Sequence, residues 1–287
     1  MTILVTGAEG QLGSELCRQL GPKALGLDVP QFDLTDRRRV LNTLQEVRPE
    51  AVINTAAYTR VDKAEDEVEL CRAINATGVG YLAEACRRLD CPLVQISTDY
   101  VFGADAARQT PYRETDPTGP QGVYGQTKLA GEQQAAGWEK HYILRTCGLY
   151  GQLGGRSAGN FVATVLRLGP ERGRLRVVRD QLCTPSYVPH VARAIRFLLG
   201  TGQYGLYHVV NTGATTWFDF AAELFCQADL RVELEAITTA QYGARAPRPA
   251  YSVLDTSKYH ALAGRPEMPT WEEALREYLR TQSFPPA

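Results

Sequence analysis

Tyr124 and Lys128 stand four positions apart in VYGQTKLAGE, residues 123–132. On a helix that spacing puts both side chains on one face, one turn apart. A tyrosine hydroxyl with an ordinary pKa near 10 exchanges protons poorly at neutral pH. A lysine one turn away favours the phenolate and lowers that value. About 25 residues earlier, LVQISTDYVF places Ser97, Thr98, Asp99 and Tyr100 at the end of an apolar run. The Thr98 hydroxyl could hold a carbonyl against the tyrosine. Together these groups make a proton relay for carbonyl–alcohol interconversion, with hydride from a cofactor. Spacing alone would equally fit a Tyr/Lys pair on a helix surface, and the rest of the chain decides between the two.

The opening stretch TGAEGQLG sets Gly7, Gly10 and Gly13 between an apolar run and a helical pattern. Glycines at the first strand-to-helix turn let the backbone approach a pyrophosphate, which then sits on the helix N-terminus. The spacing is Gly-x-x-Gly-x-x-Gly, and taken alone it also fits a tight turn. Asp28 ends the second apolar run, where an acid commonly accepts from ribose hydroxyls. An acid there disfavours a 2′-phosphate, but lysines and arginines elsewhere can offset it, so NADH and NADPH both stay open. Asp33 and Leu34 are expected where the next strand ends, with a helix-cap role for DLTD as the alternative.

These groups need a scaffold that brings strand ends together. Apolar runs at TILVTG, KALGLD, AVINTAA, PLVQISTD and HYILRT alternate with helical patterns, the longest being DEVELCRAINATGVGYLAEACRRLD. Nearly all-apolar strands separated by helices predict a parallel sheet covered on both faces. Right-handed crossovers make it an α/β, doubly wound sheet of the Rossmann type. After about residue 148 the rhythm breaks: GQLGGRSAG reads as a loop, and later segments build a smaller C-terminal substrate-binding lobe. The expected division is a dinucleotide-binding domain at 1–148, with a returning segment near 184–211. The lobe takes 212–287 plus about 149–183.

The 287 residues carry a formal net charge of −1, with 44% hydrophobic and 22% charged residues. Nothing here suggests affinity for nucleic acid or an anionic membrane. No apolar run reaches the roughly 18 to 20 residues that span a bilayer. The chain opens on a strand pattern, so a cytoplasmic location is the default expectation. Seven scattered cysteines, none in a Cys-x-x-Cys pair, argue against a disulfide framework and against a zinc site.

TGAEGQLG, INTAAYTRVDKAE, ISTDYVF, VYGQTKLAGE, ILRT and RPAYSVLDTSK occur in order along nearly the whole chain. In them the sequence resembles the extended short-chain dehydrogenase/reductase superfamily, and more narrowly the dTDP-4-dehydrorhamnose reductase family. AAYTRVDKAE and STDYVF are the specific segments; the glycine turn and Tyr-x-x-x-Lys are shared across the superfamily. The resemblance implies NADPH- or NADH-dependent reduction of dTDP-4-dehydro-6-deoxy-L-mannose to dTDP-L-rhamnose. It implies Thr98, Tyr124 and Lys128 as catalytic, and Gly7, Gly10, Gln11, Leu12, Asp33, Leu34, Ala56 and Ala57 around the cofactor. Val61, Asp99 and Tyr100 would face the deoxysugar, and the segment from Arg248 to Ser252 would approach the nucleotide. Asp62 to Glu67 are expected only as a solvated helix start.

The sequence departs from the family where RT is usually followed by Ser-Trp, an aromatic that packs on the sugar; here stand Cys147 and Gly148. DQLCTPS also has Cys183 and Ser186 where Gly and Thr are usual. Another nucleotide-linked 4-ketosugar is therefore an alternative substrate. A non-catalytic regulatory subunit of the methionine adenosyltransferase type is a further reading, against which the intact Thr98, Tyr124 and Lys128 count. Some relatives hold magnesium between subunits, which would imply a homodimer. Glu15 could sit at such a position, but no full ligand set matches, and no metal is assigned.

Overall fold

The computed structural model describes residues 2–152, 154–155 and 159–282. Part of the expected loop, residues 153 and 156–158, and the tail 283–287 of the expected lobe lie outside the described residues. The strands of four or more residues are β1 (Ile3–Thr6), β2 (Ala24–Leu27), β3 (Ala51–Asn54), β4 (Leu93–Thr98), β5 (His141–Thr146), β6 (Arg174–Val178), β7 (Gly205–His208) and β8 (Glu233–Ile237). The main helices are α1 (Gln11–Leu20), α2 (Arg37–Val47), α3 (Gly78–Leu89), α4 (Val123–Ala136), α5 (Phe161–Arg172), α6 (Val188–Leu199), α7 (Trp217–Gln227) and α8 (Trp271–Arg280).

Six strands form one parallel sheet in the order β7-β5-β4-β3-β1-β2. The period-two alternation of side chains sorts its apolar residues onto two faces. Val5, Ile53, Val94, Tyr142 and Leu144 point to a core closed by α1 and α6. Their chain neighbours Leu4, Val52, Leu93 and Ile143 point to a second core closed by α2 and α3. Both faces are therefore dry, and the strands have to be apolar throughout, as the sequence reading expects. The order of connections reverses between β1 and β3, which opens a crevice at their carboxyl ends. That crevice positions the glycine turn.

A third cluster joins α5, β6, α7 and α8 through Val162, Val165, Leu175, Val177, Phe220, Leu224, Trp271 and Leu275. Thr270 and Glu273 start α8 with a reciprocal capping box. Strand β8, parallel to β6, falls in a stretch that the sequence reading leaves unassigned.

Two expectations need correction. No strand ends at Asp33: residues 28–36 are a loop, and the Asp33 carboxylate accepts from the Thr35 N–H and hydroxyl at 2.8 Å each. Asp36 caps α2 by accepting from the Arg39 N–H. The long helix before β4 is also not uniform. Val68–Arg72 runs through a π turn at Ala73–Thr77 into α3. The extra residue in that turn places Asn75 where it bonds both the N–H and the carbonyl of Tyr58.

All seven cysteines are free, five of them buried, Cys17 partly so and Cys226 exposed. Among the described residues no helix is long and apolar enough to cross a membrane.

Candidate active site

Thr98 is the last residue of β4, and its side chain accepts from the Tyr100 N–H to start a 3₁₀ turn. Tyr124 is the second residue of α4. Gly122 offers no side-chain cap to that helix, and the Glu65 carboxylate supplies one from a distance by accepting from the Val123 N–H at 2.9 Å. The Tyr124 ring packs on Tyr58, Ala64 and Cys71 and stands edge-on to Tyr100, with centroids 5.8 Å apart. The Thr98 hydroxyl donates to the Asp99 carboxylate at 3.1 Å and lies near enough to the Tyr124 oxygen to oppose the rise of its pKa. β4 and α4 thus bring the two ends of the expected relay together.

Lys128 is 3% exposed, which excludes the surface-pair reading. Its Nζ donates to the Ile96 carbonyl at 2.6 Å. That carbonyl also accepts from Gln95 Nε2, whose Oε1 accepts from Asn54, whose Oδ1 accepts from Thr6. A buried polar chain therefore runs from β1 through β3 and β4 to Lys128. Burial pushes the lysine down to about 8, with Glu132 and Cys71 acting the other way. Burial pushes the Tyr124 phenol well above its ordinary value, opposed by the nearby Thr98 hydroxyl. This corrects the expectation of a lowered tyrosine pKa. The ammonium is held on a carbonyl, and desolvation of the phenolate dominates.

One turn beyond Lys128, Glu132 accepts from Ser97 at 2.5 Å and forms a two-point ion pair with Arg145 on β5, at 2.9 and 2.7 Å. The guanidinium lies over Phe102 and reaches His208 on β7. Burial, then Arg145, push His208 down to about 3, so the ring is neutral. These contacts lock α4 against the strands that carry the hydroxyls.

At the nucleotide end, Gly7 has φ +67, and a Cβ there would lie 2.6 Å from the Ala56 nitrogen. Only glycine lets the turn press on the end of β3. Gly10 caps α1 with no side chain, and the first turn of that helix contains no acid. Its N–H groups remain available to a pyrophosphate. Asp28 accepts from the Glu9 and Val29 N–H groups at 2.9 and 2.8 Å, which fixes its carboxylate beside the turn. Gln11 accepts from Asn160, the cap of α5. Leu12 and Leu34 are buried in opposite cores. The turn, the open helix end and the fixed Asp28 fit a dinucleotide.

A cavity of about 850 Å³ opens beside Tyr100. Phe161, Trp217 and Tyr242 line it, together with Arg172, Arg174, Arg176 and Arg248 and the single carboxylate of Glu235. Of the expected substrate residues, Tyr100 and Arg248 face this space. Asp99 and Ser252 do not line it. They are 2% and 3% exposed, and the Ser252 hydroxyl donates to Asp99 at 2.6 Å, tying the C-terminal segment to the end of β4. Burial raises the Asp99 pKa, and bonds from Ser252, Cys147 and Thr98 oppose it. Val61 opens the short helix Val61–Ala64.

The acidic run after Val61 is partly solvated, as expected of a helix start, but its carboxylates also hold partners. Asp62 accepts from both Arg248 nitrogens at 3.0 Å and from the Ala246 N–H, Glu67 accepts from Tyr58, and Asp66 pairs with Arg245. The signal for this role was present as acids spaced along VDKAEDE, but the partners of Asp62 and Asp66 lie about 180 residues away in sequence. Among the described residues no group of three or more His, Cys, Asp or Glu side chains could hold a metal ion. Glu15 is bonded by Arg18 and Gln19.

The chain matches the model of the RmlD substrate binding domain over residues 1–284. It is 42% identical to dTDP-4-dehydrorhamnose reductase of Streptomyces griseus, over 98% of this chain and 92% of that one. It is 40% identical to the spore coat polysaccharide biosynthesis protein SpsK of Bacillus subtilis, over 98% of both. The structure of dTDP-4-dehydrorhamnose reductase from Bacillus anthracis in complex with NADP superimposes with a TM-score of 0.93 at 40% identity, covering 98% of this chain and all of the other. This chain belongs to the dTDP-4-dehydrorhamnose reductase family.

Set against the dTDP-4-dehydrorhamnose reductase pattern, the departures at Cys147, Gly148 and Cys183 lie close together. Cys147 and Cys183 are buried in one cluster with Phe102, Tyr112 and Val210, against which Trp217 packs. Gly148 has φ +51, and a Cβ there would lie 2.9 Å from Trp217 Cη2.

Proposed function

We propose that this protein reduces the C4 ketone of dTDP-4-dehydro-6-deoxy-L-mannose to give dTDP-L-rhamnose. The observation that carries the reading is a buried Lys128, on the Ile96 carbonyl of the strand that ends at Thr98, one turn from Tyr124 on the same helix. A buried ammonium held only by a backbone carbonyl is costly, and such groups cluster at functional sites. Four arginines line the adjoining cavity, Arg174 and Arg176 paired with Glu233 and Glu235 and Arg248 with Asp62; guanidinium groups there suit a diphosphate, and the aromatic residues beside them suit a base and a deoxysugar.

A dinucleotide would be held by Gly7, Gly10, Gln11, Leu12, Ala56 and Ala57 with Asp28 at a ribose, and when bound would supply the hydride that C4 requires. NADPH and NADH both fit. Tyr124 is a neutral phenol at pH 7, because burial holds its pKa high, and so carries the proton that O4 requires. Thr98 holds the ketone oxygen against it and stabilises the phenolate left behind. Lys128 is protonated below pH about 8 and adds positive charge one turn away.

The test is oxidation of NADH and NADPH by purified protein with the enzymatically generated dTDP-ketosugar. Turnover yielding dTDP-L-rhamnose is expected; no ketosugar-dependent oxidation rejects the reading. Gly148 favours a second reading, another nucleotide-linked 4-ketosugar, and a substrate panel ranks the two by kcat/KM.

A further inference from the structure

We propose that Trp217 is the aromatic wall on which the deoxysugar packs, and that residue 148 is glycine so that the indole can stand there. The inference rests on the nucleotide-sugar reading above.

The backbone at Gly148 has φ +51, where any L side chain is strained. Its missing Cβ would sit 2.9 Å from Trp217 Cη2 and 3.2 Å from Pro185 Cα. The indole therefore fills the volume that a side chain at 148 would claim. Trp217 opens α7, whose start is fixed by the Thr216 side chain accepting from the Asp219 N–H. The ring is half-buried, packs on Phe161 with centroids 4.7 Å apart, and lines the same cavity as Tyr100.

The position of the ring is chemically pointed. Tyr100 touches Tyr124, and Cys147, next to Gly148, is buried in the cluster of Val101 and Phe102 just after Thr98, against which Trp217 also packs. The indole is thus anchored at the end of the cavity where the reaction occurs. A 6-deoxypyranose presents a face of C–H groups and a methyl, which packs on an aromatic face and has no hydrogen-bonding demand there. Gly148 and Trp217 together set which sugar face is accepted.

The test is calorimetric titration of the NADP⁺-loaded protein with dTDP and with dTDP-L-rhamnose, for wild type, W217A, W217L, W217F and G148A. Wild type is expected to prefer dTDP-L-rhamnose. W217A and W217L should weaken that ligand roughly tenfold and leave dTDP within about twofold, while W217F keeps most of the preference. G148A should act like W217A, and the W217A/G148A double variant should be no worse than W217A alone. In turnover, KM for the ketosugar should rise, with kcat within about threefold. Full preference retained by both W217A and W217L overturns the assignment to Trp217 while leaving the proposed function standing. Wild type that binds neither nucleotide overturns both.

Discussion

Lys128 Nζ donates to the Ile96 carbonyl at 2.6 Å, on an oxygen that already accepts from Gln95. Helix α4 is thereby attached to the strand that carries Thr98, two residues before the hydroxyl itself. The arrangement also makes the ammonium dispensable to the fold, because Ile96 keeps a partner without it.

Replacing Lys128 by Met should abolish most turnover and raise the melting temperature at pH 7, since the variant no longer buries a charge. The pH dependence follows from the lysine's depression from 10.5 to about 8. Below pH 8 both folded and unfolded wild type hold the proton. Between about 8 and 10.5 only the unfolded chain does, so wild-type stability rises with pH and the gap to the variant closes. Thermal melts of both proteins across that range measure the effect.

Tyr124→Phe removes the proposed proton donor and leaves the ring that packs on Tyr58 and Tyr100. Turnover should fall about 10²–10⁴-fold, with NADPH affinity unchanged. Stopped-flow rates and fluorescence titration of the cofactor separate the two quantities.

Asp62 holds Arg248 at the cavity through two bonds of 3.0 Å, and that guanidinium is the leading cause of the lowered Asp62 pKa. Asp62→Asn should raise KM for the nucleotide sugar roughly three- to tenfold and change kcat little. Steady-state kinetics at saturating NADPH reads the split.

Glu132 and Arg145 are both nearly fully buried and paired at 2.7 Å. Glu132→Ala leaves an unpaired guanidinium in the core and should cost about 3–5 kcal/mol. The E132L/R145L double variant should be markedly more stable than E132A. Urea denaturation midpoints decide the order.

Much of this protein is legible from residue order. The parallel sheet follows from apolar strands that need cover on both faces, and the residues on either side of Leu4/Val5 or Val52/Ile53 divide between the two cores as a period of two requires. The placement of Thr98 at a strand end and of Tyr124 and Lys128 one turn apart on a helix is legible because strand-end and helical spacing are local properties. The π turn at Asn75 and the loop at Asp33 were not, because backbone partners outcompete the simple pattern there.

Residue order also determined that Gly148 bears no side chain. Only the tertiary structure decided what takes that volume, because Trp217 arrives from a helix some seventy residues later. The same holds for Asp62 and Glu65 of VDKAEDE, which bond Arg248 and the Val123 N–H across the fold. It holds also for the tyrosine's protonation. Spacing to a lysine argues for a lower pKa, whereas burial, which depends on everything packed around the phenol, raises it.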